Sequence, residues 1–246
     1  MLHHEISGNG KKPLVLLHGF MENTTIWNEM EAHLSKDFTL IKIDLPGHGK
    51  SKVYQEIHTV ELMAEKVKEV IDALKLEKIN LLGHSLGGYV SLAFAEKFPE
   101  ILESMTLFFS TTVADDEEKK AIRRRSIAVI DENFETFVKT SIPNLFSNNE
   151  KDILEGKIEL AKNIAKATNK EGVKAAQLGM AERPDRTEIL ENLDAKILII
   201  AGKYDNAVKT ENLLKIIPEK TNIKTYVLDC GHNGHWEKPT ICAEII

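Results

Sequence analysis

The sequence predicts an α/β fold: a mostly parallel central sheet flanked by helices, with a helical segment inserted late in the chain. Three observations carry this. Short apolar runs alternate with amphipathic stretches, and several of the runs lack strict alternation, as strands covered on both faces do. The order strand, helix, strand, helix implies parallel strands joined by right-handed crossovers. Between about residues 111 and 193 that rhythm stops, and sheet-type runs resume at Lys196.

The predicted strands are LVLL (14–17), FTLIKI (38–43), INLL (79–82), MTLFF (105–109), KILIIA (196–201) and IKTYVL (223–228). After Thr59, a good N-cap, residues Val60, Met63, Val67, Val70, Ile71 and Leu74 fall on one helical face. A second helix opens just after Ser85 and stops near Phe98-Pro99, where proline ends it. The stretch from Ala114 to Glu191 is charged and helix-prone, with breaks expected at Ile142-Pro143-Asn144 and Arg183-Pro184-Asp185. The expected domain division is a core of residues 1–110 and 194–246, with 111–193 inserted as a helical cap. No internal repeat or low-complexity tract appears.

With 246 residues the chain suits one large domain or a core with an inserted subdomain. The formal charge of −6 argues against a general attraction to nucleic acid or anionic lipid. The start, MLHHEISGNGKK, lacks the pattern of a secretory signal, and no run approaches the length of a membrane span, so a cytoplasmic protein is expected. Cys230 and Cys242 are too few for a disulfide framework and read as packing residues.

The chemistry centres on GHSLGG (83–88). Gly83-His84-Ser85-Leu86-Gly87 matches G-x-S-x-G, in which a strained strand-to-helix turn lifts a serine above the sheet. The bare pentapeptide also suits a glycine-rich structural turn, so its companions decide. A neutral hydroxyl needs a base within hydrogen-bond reach and a group that orients the base. KILIIAGKYDNAV places Asp205 just past one strand, and IKTYVLDCGHNGHWEKP places His232 just past the next. Both lie at carboxyl ends of parallel strands, where such sheets build their sites. The order serine, acid, histidine fits as well. His235 is a competing base that chemistry does not exclude; His232 is preferred because it follows Gly231 directly after the strand. Asp229 and Asp194 are rival acids, in or before strands. The developing oxyanion needs backbone donors, for which the amides of Leu86 and of Phe20, in the turn His18-Gly19-Phe20, are the candidates.

With HGF (18–20), DLPGHGKS (44–51), GHSLGG (83–88), AGKYD (201–205) and CGHNGHWEKP (230–239) in order, the sequence resembles the α/β-hydrolase fold superfamily, in its cap-bearing subgroup of small bacterial hydrolases and esterases. The resemblance covers the core and is weak in the cap. It implies a Ser85, Asp205, His232 triad with Phe20 and Leu86 as the oxyanion hole, and structural roles for Asp44 and His48. Serine at 85 sets aside relatives with an aspartate nucleophile. The stretch Thr240 to Ile246 is shorter than the usual closing helix, which puts the C-terminal packing in question.

The expected activity is carboxylic-ester hydrolysis through an acyl-enzyme, with a small-molecule ester or related acyl substrate and no cofactor. C–C bond hydrolysis, lactone opening, thioester cleavage and lyase chemistry suit the same triad. Outside enzymes, the alternative is a ligand-binding sensor with little turnover. Cys230, His232, His235 and Glu237 do not have the spacing of a metal site, so no metal is expected. DDEEKKAIRRR (115–125) reads as a solvated helix, with Arg123 to Arg125 as a possible reach toward an anionic substrate. Phe134, Phe137, Leu145, Phe146 and Met180 suit an acyl pocket, though packing of cap on core is their commoner use.

Overall fold

A computed structural model describes residues 1–246. Seven strands form one sheet: β1 (His4–Ser7), β2 (Lys12–Leu17), β3 (Phe38–Ile43), β4 (Ile79–His84), β5 (Leu102–Phe108), β6 (Lys196–Gly202) and β7 (Ile223–Leu228), in the spatial order β1-β3-β2-β4-β5-β6-β7. Only β1 is antiparallel, paired to β3 with His4 opposite Ile43. All other pairs are parallel. The sequence did not announce β1, because HEIS is too short and polar for periodicity and is held as a strand by its neighbour. The run 105–109 is corrected too: β5 begins at Leu102, and Phe109 leaves the strand with φ +50°.

The central strands are covered on both faces, while the edge strand β7 is largely exposed. Along β2, Val15 and Leu17 enter the larger core cluster, while Leu14 and Leu16 enter the other, as a two-residue period requires. The first cluster takes the apolar faces of α2 (Val60–Ala73) and α3 (Leu86–Lys97), and the second takes Met30 and Leu34 of α1 (Asn28–Leu34). Helix α2 begins where expected: the Thr59 hydroxyl accepts the Leu62 N–H at 3.1 Å.

Between β5 and β6 the chain is helical, with α4 (Glu117–Ser141), α5 (Lys151–Ala167), α6 (Lys170–Glu182) and α7 (Glu188–Asn192). Helix α4 is kinked at Asn133 (φ −153°, ψ 84°), whose side chain caps the second half by accepting the Thr136 N–H at 2.9 Å. A 3₁₀ turn over Ile142–Leu145 occupies the first expected break, and α6 stops before Arg183 at the second. Asp115 is not solvated: it is buried between the guanidinium groups of Arg123 and Arg183. Three short helices follow, α8 (Thr210–Leu214), α9 (Gly234–Glu237) and α10 (Pro239–Ile245). The short C-terminal stretch does form a closing helix, with Cys242 buried against the α1 face. No helix is long and apolar enough to cross a membrane.

Candidate active site

Ser85 sits where β4 ends and α3 begins, with φ +48° and ψ −109°. A side chain held at positive φ stores about 1–3 kcal/mol of strain, which the surroundings must over-determine. They do so here. The Ser85 N–H donates to Phe108 O at 3.0 Å, and its carbonyl accepts from Gly88 N–H at 2.9 Å and from the Ser110 hydroxyl at 2.8 Å. Gly83 is required by close approach, since a Cβ there would lie 2.2 Å from the Gly87 carbonyl oxygen.

Ser85 Oγ lies 2.8 Å from His232 Nε2, and His232 Nδ1 lies 2.7 Å from Asp205 Oδ2. Asp205 stands just past β6, and its Oδ1 accepts the N–H groups of Ala207 and Val208 at 2.7 and 2.8 Å, which leaves Oδ2 for the imidazole. His232 follows β7 and is buried. Burial works against its charged form, but the Asp205 carboxylate, with Glu22 and Glu237 further off, outweighs it, so His232 titrates above the usual histidine value. The three residues named from the sequence are therefore brought together. The rivals stand elsewhere: Asp229 pairs with Lys203, and His235 is fully buried with neither ring nitrogen hydrogen-bonded.

Phe20 lines the cavity beside Ser85, and its N–H donates to no protein acceptor. Leu86 is the first residue of α3, so its N–H has no acceptor inside the helix, and the helix N-terminus favours negative charge nearby. Asp44 is structural in the way expected: its two oxygens accept the N–H groups of Thr24 and Lys50 at 2.8 and 2.9 Å. His48 is buried.

A cavity of about 270 Å³ opens over Ser85 between the core and the inserted helices. Phe137, Leu145 and Met180 line it; Phe146 is buried in the core, stacked on Trp236, and Phe134 packs half-buried against the same cluster. Of the three arginines only Arg123 reaches the cavity wall, where it donates to Gln177 Oε1 at 3.0 Å and pairs with Asp115. Cys230 and Cys242 are buried free thiols; burial pushes Cys230 well up and Cys242 up to about 12, so neither is a nucleophile at neutral pH. Glu237 accepts the N–H groups of Gly231, Asn233 and Ser147, so it is not free to join Cys230 and the two histidines around a metal.

Sequence reasoning missed Glu22. Burial alone would raise its carboxyl, but His84 beside it, helped by His235 and His18, holds it down at about 2. Nothing in HGFMEN marks a buried acid, because its partners lie 62 and 213 residues away in sequence at His84 and His235.

Over 111 residues the chain is 35% identical to an uncharacterized protein of Mycobacterium tuberculosis, a match spanning 45% of this chain and only 32% of that one. It is 28% identical over 255 residues to a putative 2-succinyl-6-hydroxy-2,4-cyclohexadiene-1-carboxylate synthase of Bacillus subtilis, covering 97% of this chain and 90% of that protein. A thermophilic esterase from Thermogutta terrifontis, solved with malate bound, superposes with a TM-score of 0.92 at 32% identity, covering 99% of this chain and 90% of the esterase. The model of the alpha/beta hydrolase fold matches residues 12–239, and with the parallel sheet and the serine turn at its carboxyl edge this chain belongs to that family.

Proposed function

We propose that the protein is a serine hydrolase that cleaves carboxylic esters of small molecules through an acyl-enzyme. The observation that carries this reading is the continuous line from Ser85 Oγ to His232 Nε2 at 2.8 Å and from His232 Nδ1 to Asp205 Oδ2 at 2.7 Å, opening on the cavity. Ser85 Oγ attacks the ester carbonyl as His232 Nε2 takes its proton. Asp205 fixes the Nδ1–H tautomer and stabilises the imidazolium. The tetrahedral oxyanion receives the Phe20 and Leu86 amides, each worth about 10² to 10³ in turnover. The alcohol leaves with the proton held by His232, and water repeats both steps to release the acid and restore Ser85. Residues 111–193 act as the cap that selects the acyl group, through Phe137, Leu145 and Met180.

The likeness to the Thermogutta esterase supports ester substrates. The Bacillus relative, named as a synthase, supports a second reading, lyase chemistry with the same triad. The test is hydrolysis of p-nitrophenyl esters of increasing acyl length by the native protein and by Ser85→Ala. Activity that vanishes with Ser85→Ala supports the esterase, and the length profile sizes the pocket. Native activity no greater than that of the variant favours the second reading, while activity that survives the substitution refutes Ser85 as nucleophile.

A further inference from the structure

Beside the triad, in the wall of the same cavity, lies a buried hydrogen-bonded chain that the triad does not use. Glu22 Oε2 accepts the Gly19 N–H at 2.5 Å and faces His84 Nδ1 at 2.8 Å. The other ring nitrogen, His84 Nε2, lies 3.0 Å from the backbone carbonyl oxygen of His232. A carbonyl only accepts, and an ionised carboxylate only accepts, so the His84 ring donates from both nitrogens. The chain thus joins two loops and a strand end: residue 19, next to the Phe20 amide; residue 84, at the end of β4 next to Ser85; and residue 232, the base itself. The fit is tight, because a Cβ at Gly19 would lie 2.7 Å from both Glu22 Oε2 and His84 Nδ1.

Glu22, His84 and His235 are also metal-ligand types within 4.8 Å of one another. The hydrogen-bonded account fits better. Two ligands of one tetrahedral zinc stand about 3.3 Å apart for bonds of about 2.0 Å, wider than the 2.8 Å between Glu22 and His84.

We propose that Glu22 is a positioning residue: acting through His84 and Gly19, it locks the loop bearing the Phe20 amide to the turn bearing Ser85 and to the His232 loop. This rests on the triad and oxyanion roles proposed above. The lock acts on the transition state, because the Phe20 amide meets the oxyanion only after attack, and displacement of such a donor by about 1 Å costs about 10²-fold.

Glu22→Gln separates this from mere packing. One atom, Oε2, serves both donors: an amide oxygen there still accepts both but carries no full charge, leaving the doubly donating His84 without a counter-charge, while an amide nitrogen there meets the Gly19 N–H head-on. With p-nitrophenyl esters, and kcat expressed per active site titrated by a phosphonate, the expected result is a fall in kcat of about 10- to 100-fold with KM within about threefold. Ser85→Ala assayed in parallel reports on the triad separately: if it stays active, the triad reading fails, whatever Glu22→Gln does. If Ser85→Ala is dead and Glu22→Gln keeps native kcat, or loses only KM, the positioning role is overturned. Should Glu22→Gln fail to fold, nitrogen-15 NMR of the native protein at neutral pH decides: two protected ring N–H signals from His84 support the lock, and a single protonated nitrogen overturns it.

Discussion

Glu237 Oε2 accepts the Ser147 N–H at 3.1 Å, tying the loop that carries His232 to the inserted helical segment. The same oxygen accepts Gly231 N–H at 2.8 Å, and Oε1 accepts Asn233 N–H at 3.2 Å, so one buried carboxylate satisfies amides on both sides of His232. Position 232 is therefore held from its neighbours, independently of Asp205.

Glu237→Gln turns one of those acceptors into a donor facing an amide. A buried N–H left without a partner costs about 1–3 kcal/mol. For a chain of this length that corresponds to a fall in Tm of about 2–12 °C, with turnover lowered alongside as His232 loosens. Calorimetry together with ester assays checks this; an unchanged Tm would show that the three amides find other partners.

Asp205→Asn should be more damaging to turnover than to stability. Asp205 Oδ1 is committed to the N–H groups of Ala207 and Val208, so the asparagine oxygen stays there and its NH₂ turns toward His232. Nδ1 must then accept, and Nε2 carries the proton when Ser85 needs a base. The loss expected for such a wrong tautomer is about 10⁴ in kcat. A loss below tenfold would mean that another acid orients the imidazole.

What the sequence made legible is what short-range pattern dictates. The apolar runs placed the parallel strands, Thr59 placed the start of α2, and the residues just past β4, β6 and β7 placed Ser85, Asp205 and His232. Tertiary contacts decided the rest. β1 exists because β3 pairs with it, and Glu22 matters because a residue of β4 and one of α9 meet it. The inserted helices carry apolar residues that pattern alone does not sort: Phe134 and Phe137 both pack half-buried against the same cluster, yet only Phe137 also lines the cavity.

The pH dependence of kcat/KM follows from His232. The ring must be neutral to take the Ser85 proton, so activity is lost as pH falls through its pKa. That value is raised from 6.5, because the Asp205 carboxylate favours the charged ring more than burial opposes it. The acid limb of a pH profile should therefore have its midpoint above 6.5, and Asp205→Asn should move it down. A native midpoint below 6.5 would assign the base to another group.

Stability in acid should be governed by the buried histidines that stay neutral. Burial, reinforced by the neighbouring His18, holds His48 down at about 3 against an ordinary 6.5. Between those values the unfolded chain binds a proton that the folded chain does not, so stability falls as pH falls, by about 1.4 kcal/mol per pH unit for each such group. His235, also lowered by burial and by His84, adds to the slope. Glu22 acts in the same direction at lower pH: its contribution is complete above 4.5 and is lost as pH falls through about 2. His232 has the opposite sign, since its raised value stabilises the fold below 6.5 and that part is lost as pH rises through the folded value. His48→Gln, measured by urea unfolding between about pH 4 and 6, should flatten the slope by about 1.4 kcal/mol per unit. An unaltered slope would mean that His48 takes up its proton while folded, and that the Asp44 to Ser51 loop opens to water before the sheet does.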